Sequence, residues 1–101
     1  MRARLTFSQM NPEKFEEVLG IYEASTLPGI RQTPGNRGSL LLVDRATGKA
    51  IAVSLWESDT DLPSIESESQ RYREEMARYM SLFTVPPVRE DYVVALQEQA
   101  E

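Results

Sequence analysis

The chain has 101 residues, 41% hydrophobic and 27% charged, the size and balance of one soluble globular domain. Its formal charge is −5 and its arginines are scattered, so it lacks the positive patch that nucleic-acid binding requires. It contains no cysteine and no histidine, which excludes disulfides, zinc–thiolate centres, Cys nucleophiles, Ser-His-Asp triads and histidine-ligated haem.

No apolar run approaches the ~20 residues needed to span a bilayer, so no membrane association is expected. Met1-Arg2-Ala3-Arg4-Leu5-Thr6-Phe7 lacks the apolar middle of a signal peptide, and a cytoplasmic location is the expectation. Active-site chemistry here has to use carboxylates, tyrosines, lysine, arginine, Trp56 or backbone groups. No carboxylate spacing suggests a metal site, and no cofactor is expected.

Arg2 to Ser8 alternates with period two. Ala3, Leu5 and Phe7 share one face, and Arg4, Thr6 and Ser8 share the other, as in a half-buried strand. Asn11-Pro12-Glu13 reads as a helix start: a capping side chain, a proline suited to the first helical position, and an acid at the positive dipole end. Phe15, Val18, Leu19 and Tyr22 make one apolar stripe. The helix is expected to fade near Ser25-Thr26 and break at Leu27-Pro28-Gly29, with a loop through Thr33-Pro34-Gly35-Asn36.

Gly38 to Val43 and Ala50 to Trp56 read as a hairpin. Asp44 opens its turn, and Gly48 suits a left-handed position. Leu40-Leu41-Leu42-Val43 is apolar on both faces, which predicts a strand covered on both sides. A second helix begins in Ser58-Asp59-Thr60-Asp61, capped by Ser58 or Asp61. Ile65, Ser69, Tyr72, Met76, Tyr79 and Met80 recur at helical spacing as far as Phe83, and Pro86-Pro87 is the stop. Val88 to Leu96 gives a last strand, followed by a polar tail.

The order β-α-β-β-α-β predicts an α+β, ferredoxin-like sandwich over residues 1–101, a single domain with both helices on one face of an antiparallel sheet. Both registers of the strands carry apolar side chains. The other sheet face therefore needs a cover, and a second copy packed sheet to sheet is the simplest one.

Pro34-Gly35-Asn36-Arg37-Gly38-Ser39, the Asp44 to Lys49 hairpin, and Ile51-Ala52-Val53-Ser54-Leu55-Trp56-Glu57-Ser58 carry a family resemblance. Together with the element order, they resemble the antibiotic biosynthesis monooxygenase-like (ABM) group of the dimeric α/β-barrel superfamily. The resemblance implies a homodimer joined through its sheets, with a cleft between sheet and helices in each subunit. Some members of the group oxidise polycyclic aromatic substrates with O2 and no metal or flavin. Others degrade haem, using a cleft Asn, a Trp and a histidine on the second helix. Trp56 matches that Trp, Ser8 or Thr6 stands at the Asn position, and the histidine position falls near Glu66.

The function implied is cofactor-independent monooxygenation of a small aromatic or apolar substrate near Trp56. The alternative is a non-enzymatic ligand-binding or assembly module on the same dimeric fold, its cleft filled by side chains. The candidate cleft residues are Trp56, Tyr72, Tyr22, Phe7, Ser8 and Glu66. Trp56 can stack on a flat ligand, the tyrosines can hydrogen-bond its oxygens, and Glu66 can serve as a base. Each also has a purely structural role open to it, as core filler, as a seam between helix and sheet, or as a solvated helix surface.

Overall fold

The computed structural model describes residues 1–58, 70 and 73–100. Four strands, β1 (Arg2–Gln9), β2 (Asn36–Asp44), β3 (Lys49–Trp56) and β4 (Val88–Val93), form one sheet in the order β2-β3-β1-β4. Every neighbouring pair is antiparallel. This is the ferredoxin-like α+β arrangement that the element order predicts.

The first helical segment opens as predicted. Asn11 Oδ1 accepts from the Glu13 backbone N–H at 3.0 Å, and Pro12 starts a 3-10 turn, Pro12–Lys14. Helix α1 (Phe15–Ile21) follows and buries Phe15 and Val18. The predicted break at Leu27-Pro28-Gly29 does not occur. The chain instead widens into a π turn, Tyr22–Thr26, and continues as helix α2, Leu27–Gln32. The Leu27 N–H bonds back to the Tyr22 carbonyl, five residues away. That wider turn accommodates the ring of Pro28 and its missing N–H, and Pro28 then lies in the first turn of α2.

Among the described residues, the second helical segment includes residue 70 and residues 73–77 and gives way to turns over 78–82. It therefore stops short of Phe83, which instead bridges to Met10. Thr84 N–H also reaches the Gln9 carbonyl at 2.8 Å, so the end of β1 anchors the returning chain. The expected helix start at Ser58–Asp61 lies almost wholly outside the described residues. The last strand ends at Val93 rather than Leu96, which is 89% exposed.

The hairpin between β2 and β3 forms as read. Asp44 Oδ1 accepts from the Ala46 and Thr47 N–H groups, and Gly48 takes φ +81°. Gly48 also passes against β1: a Cβ built there would lie 1.8 Å from the Met10 carbonyl oxygen. The core gathers beside this contact, with Met10, Phe15, Val18, Ala50 and Tyr79 buried together.

The strand registers sort the side chains into two faces. On one, the rungs run Leu40–Val53–Leu5–Glu90, Leu42–Ile51–Phe7–Val88 and Gly38–Leu55–Ala3–Tyr92. On the other they run Leu41–Ala52–Thr6–Arg89, Ser39–Ser54–Arg4–Asp91 and Val43–Ala50–Ser8. The helices cover the second face. The first is uncovered, so β2 is not enclosed on both sides within one chain: Leu40 and Leu42 are 45% and 47% exposed.

Candidate functional site

A cavity of about 260 Å³ lies between the helical layer and the sheet. Its floor follows from one strand. Along β3 the large residues Ile51, Val53 and Leu55 alternate with Ala50, Ala52 and Ser54, and the small set faces the helices. Neighbouring β1 adds Thr6 and Ser8 on that side. Short side chains under a helix leave space where a ferredoxin-like core would otherwise be filled. Val18, Tyr22, Ile30, Leu41, Met76 and Phe83 make most of the remaining wall apolar.

Trp56 closes one end. Its backbone pairs with Asn36 on β2 and Arg2 on β1. The Asn36 amide donates to the Leu55 and Gly38 carbonyls across the bulge in β2, and Glu57 N–H reaches the Gly35 carbonyl at 2.9 Å. The Pro-Gly-Asn stretch thus holds the strand end on which Trp56 sits. The indole is buried and donates to Ser54 Oγ at 2.9 Å. Its ring face is left as cavity wall, with its polar edge already satisfied.

Two polar groups interrupt the apolar lining. At the sheet end, Arg4 grips Asp91 with both nitrogens, at 2.7 and 3.0 Å, and Arg89 lines the cavity beside them. The Arg4 hydrogen bond holds the Asp91 carboxyl below the usual carboxylate range. Burial lowers the Arg89 guanidinium's affinity for its proton, and the Arg4 charge adds to that.

At the helical end, Glu75 accepts from Thr26 Oγ1 at 2.7 Å and from Ser25 Oγ at 3.0 Å, and Thr26 shares a hydrogen bond with the Tyr79 hydroxyl. Burial, with a lesser push from the Glu75 charge, takes the Tyr79 phenol up to about 12. The Tyr22 phenol is also raised, chiefly by burial, and the Ser39 hydroxyl is near enough to offset part of the rise. Among the described residues, the Tyr22 hydroxyl completes no hydrogen bond of normal geometry.

The structure brings Ser8, Tyr22 and Trp56 to one cavity. Phe7 is not with them: it stands on the opposite face, between Ile51 and Val88, because β1 turns its apolar side away from the helices. Tyr72 and Glu66 lie outside the described residues. Arg4, Arg89, Glu75, Ser25 and Thr26 are among the polar cavity residues that sequence reasoning missed. The register offered a signal, since Glu75 is one position before Met76 and four before Tyr79, both on the inner stripe. Among the described residues, no group of three or more His, Cys, Asp or Glu is placed to hold a metal ion. No helix among them is long and apolar enough to cross a membrane.

This is a ferredoxin-like α+β domain with an apolar cavity between its layers, and its fold is that of antibiotic biosynthesis monooxygenase structures. A monooxygenase from the gene ActVA-Orf6 of Streptomyces coelicolor, solved with the ligand nanaomycin D, superimposes with a TM-score of 0.76 at 17% identity, covering 99% of this chain and 91% of that one. Rv0793 from Mycobacterium tuberculosis gives 0.70 at 19% identity, covering 98% of each chain. An antibiotic biosynthesis monooxygenase gives 0.72 at 16% identity, covering 95% of this chain and all of that one. No protein-family model matches the sequence, and no curated protein does.

Proposed function

We propose that this protein is a small ABM-type protein that binds an aromatic or apolar ligand in the cavity beside Trp56. Its proposed activity is monooxygenation of that ligand by O2 without a cofactor. One observation carries the reading: among the described residues, a mostly apolar cavity stays open beside the buried cluster of Met10, Phe15, Val18, Ala50 and Tyr79. A space of about 260 Å³ is a little below the ~300–1,000 Å³ of drug-sized sites, which suits a ligand of one or two fused rings. Trp56 and Tyr22 supply flat walls, and Arg89 with the Arg4–Asp91 pair gives the apolar lining a polar end that can orient a ligand. The open space favours this reading over a module whose cleft is filled by side chains.

The test is a screen of one- and two-ring aromatic compounds against the wild type and Trp56→Ala, followed by O2-uptake assays on the binders. Ligands that bind the wild type and lose affinity in the variant support the reading. A screen yielding no Trp56-dependent ligand counts against the cavity as a site. Binding without O2 uptake removes the oxidation and leaves a binding protein.

The working unit in this proposal is a homodimer joined through the uncovered sheet face. Leu5, Phe7, Leu40, Leu42, Ile51, Val53, Leu55 and Val88 give that face three nearly continuous apolar rungs, beyond what a monomer ordinarily leaves in water. Sedimentation equilibrium should return twice the chain mass of 11.5 kDa, and Leu42→Lys should shift it toward one chain mass. A wild type that stays monomeric at micromolar concentration would overturn the dimer.

A further inference from the structure

The polar corner formed by Ser25, Thr26, Glu75 and Tyr79 has a direction, and Glu75 sets it. A carboxylate accepts hydrogen bonds and cannot donate them. Ser25 Oγ therefore donates a hydrogen bond to Glu75 Oε2 at 3.0 Å, and Thr26 Oγ1 donates one to Oε1 at 2.7 Å. A threonine hydroxyl has one proton. With that proton directed at Glu75, Thr26 can only accept from the Tyr79 hydroxyl bonded to it. The sequence of donors runs from Tyr79 through Thr26 to Glu75, and Arg78 lies 3.4 Å from the outer carboxylate oxygen.

Every hydroxyl proton in the corner is thus committed within it. All four residues line the cavity, so what they offer there is lone pairs. A second feature of the same wall points to an occupant. Tyr22 is 7% exposed, and its buried hydroxyl, with Ser39 nearby, completes no hydrogen bond of normal geometry among the described residues. An unpaired buried hydroxyl costs free energy unless something supplies a partner.

We infer that Glu75, acting through Thr26 and Tyr79, is a positioning residue that makes this corner an acceptor, so that the cavity selects a ligand carrying a hydroxyl over the same skeleton with that hydroxyl methylated. The inference rests on the ligand-binding reading above and adds to it which functional group the helical wall recognises. It also assigns the selectivity to a carboxylate that need not touch the ligand. Replacing Glu75 with its amide introduces donors into the corner and frees the hydroxyls to reverse, at almost constant volume.

The test compares 2-naphthol with 2-methoxynaphthalene by ligand-observed NMR titration of the wild type, Glu75→Gln, Glu75→Asp and Tyr79→Phe, each checked for folding by circular dichroism. The wild type should prefer the naphthol by about tenfold, the scale of a hydrogen bond to an ionised or ion-polarised acceptor. Glu75→Gln and Tyr79→Phe should bring the two ligands to within about twofold of each other, while Glu75→Asp, which keeps the charge, should retain part of the preference. A purely structural role for Glu75 predicts equal loss for both ligands and an unchanged ratio, which would overturn the inference. Equal binding of both probes by the wild type would overturn it as well and leave the cavity reading intact. Binding of neither would overturn the inference, and the Trp56-dependent screen decides separately on the cavity.

Discussion

Trp56 Nε1 donates to Ser54 Oγ at 2.9 Å, a bond between residues two apart on the same face of β3, with both side chains buried. The bond removes the indole's one polar demand and leaves the ring as an apolar wall. Ser54→Ala leaves that N–H buried and unpaired, which costs about 1–3 kcal/mol. Urea denaturation should show the loss as a lower midpoint with an unchanged slope. A variant as stable as the wild type would mean that the indole has another partner.

Gly48 and Gly20 should respond to alanine in opposite senses. At Gly48 the backbone is left-handed at φ +81°, and a Cβ would lie 1.8 Å from the Met10 oxygen, whose own N–H bonds the Gly48 carbonyl at 2.9 Å. Gly48→Ala combines a left-handed strain of about 1–2 kcal/mol with a displaced β1 end, and thermal melting should fall by roughly 10 °C or more. At Gly20, inside α1, a methyl meets nothing within 4 Å, so Gly20→Ala should stabilise by about 0.5–1 kcal/mol.

Much of the scaffold was legible because local chemistry and global fold agree there. The Asn11 cap, the Asp44 turn, the left-handed Gly48 and the strand order each follow from a few residues. Pro28 misled because a π turn upstream absorbs it, and nothing local in Tyr22–Thr26 announces that turn. Phe7 misled for a different reason. In a fold with one covered face the apolar side of a strand ordinarily turns inward, yet here Leu5 and Phe7 of β1 and Ile51, Val53 and Leu55 of β3 turn outward. The alternation Ala50, Ala52, Ser54 against Ile51, Val53, Leu55 records this, since the helix-facing side is the small one. The Glu75 corner depends on contacts across about fifty residues of sequence, which periodicity along one helix does not report.

Asp91 should mark the acid limb of stability. Its folded pKa is held below the unfolded value of about 3.9, mainly by the Arg4 hydrogen bond. A depressed carboxylate contributes stability that is present above the unfolded value and is lost as pH falls through the folded one. Asp91→Asn should therefore lower stability near neutrality and flatten its fall below about pH 4. The Asp91 side chain is 33% exposed, so the change should also shrink in high salt. An acid limb identical in the two proteins would remove Asp91 from this role.

Tyr79 should govern the alkaline side. Its phenol is raised to about 12, first by burial, against about 10 in the unfolded chain. A raised folded pKa gives stability that is complete below the unfolded value and is lost as pH rises through the folded one. Native protein should therefore show phenolate absorbance later than urea-unfolded protein, and its stability should decline from about pH 10 toward 12. Tyr79→Phe should bring the native titration closer to the unfolded one.

Ala52 offers a direct test of the cavity. It stands mid-floor on β3, paired with Thr6 and Leu41, and faces the helical layer. Ala52→Leu adds three carbons into a space of about 260 Å³. In an empty, mostly apolar cavity those carbons find packing partners without displacing others, and cavity filling of this kind commonly adds about 0.5–2 kcal/mol. In a closed core the same substitution overpacks and costs about 1–3 kcal/mol. The sign of the stability change therefore tells whether the space is there. Because the added side chain occupies the ligand's volume, Ala52→Leu should also weaken every ligand that depends on Trp56. Increased stability with lost binding is the signature of a site whose openness is kept at the expense of packing, and reduced stability would show that the wall is already closed.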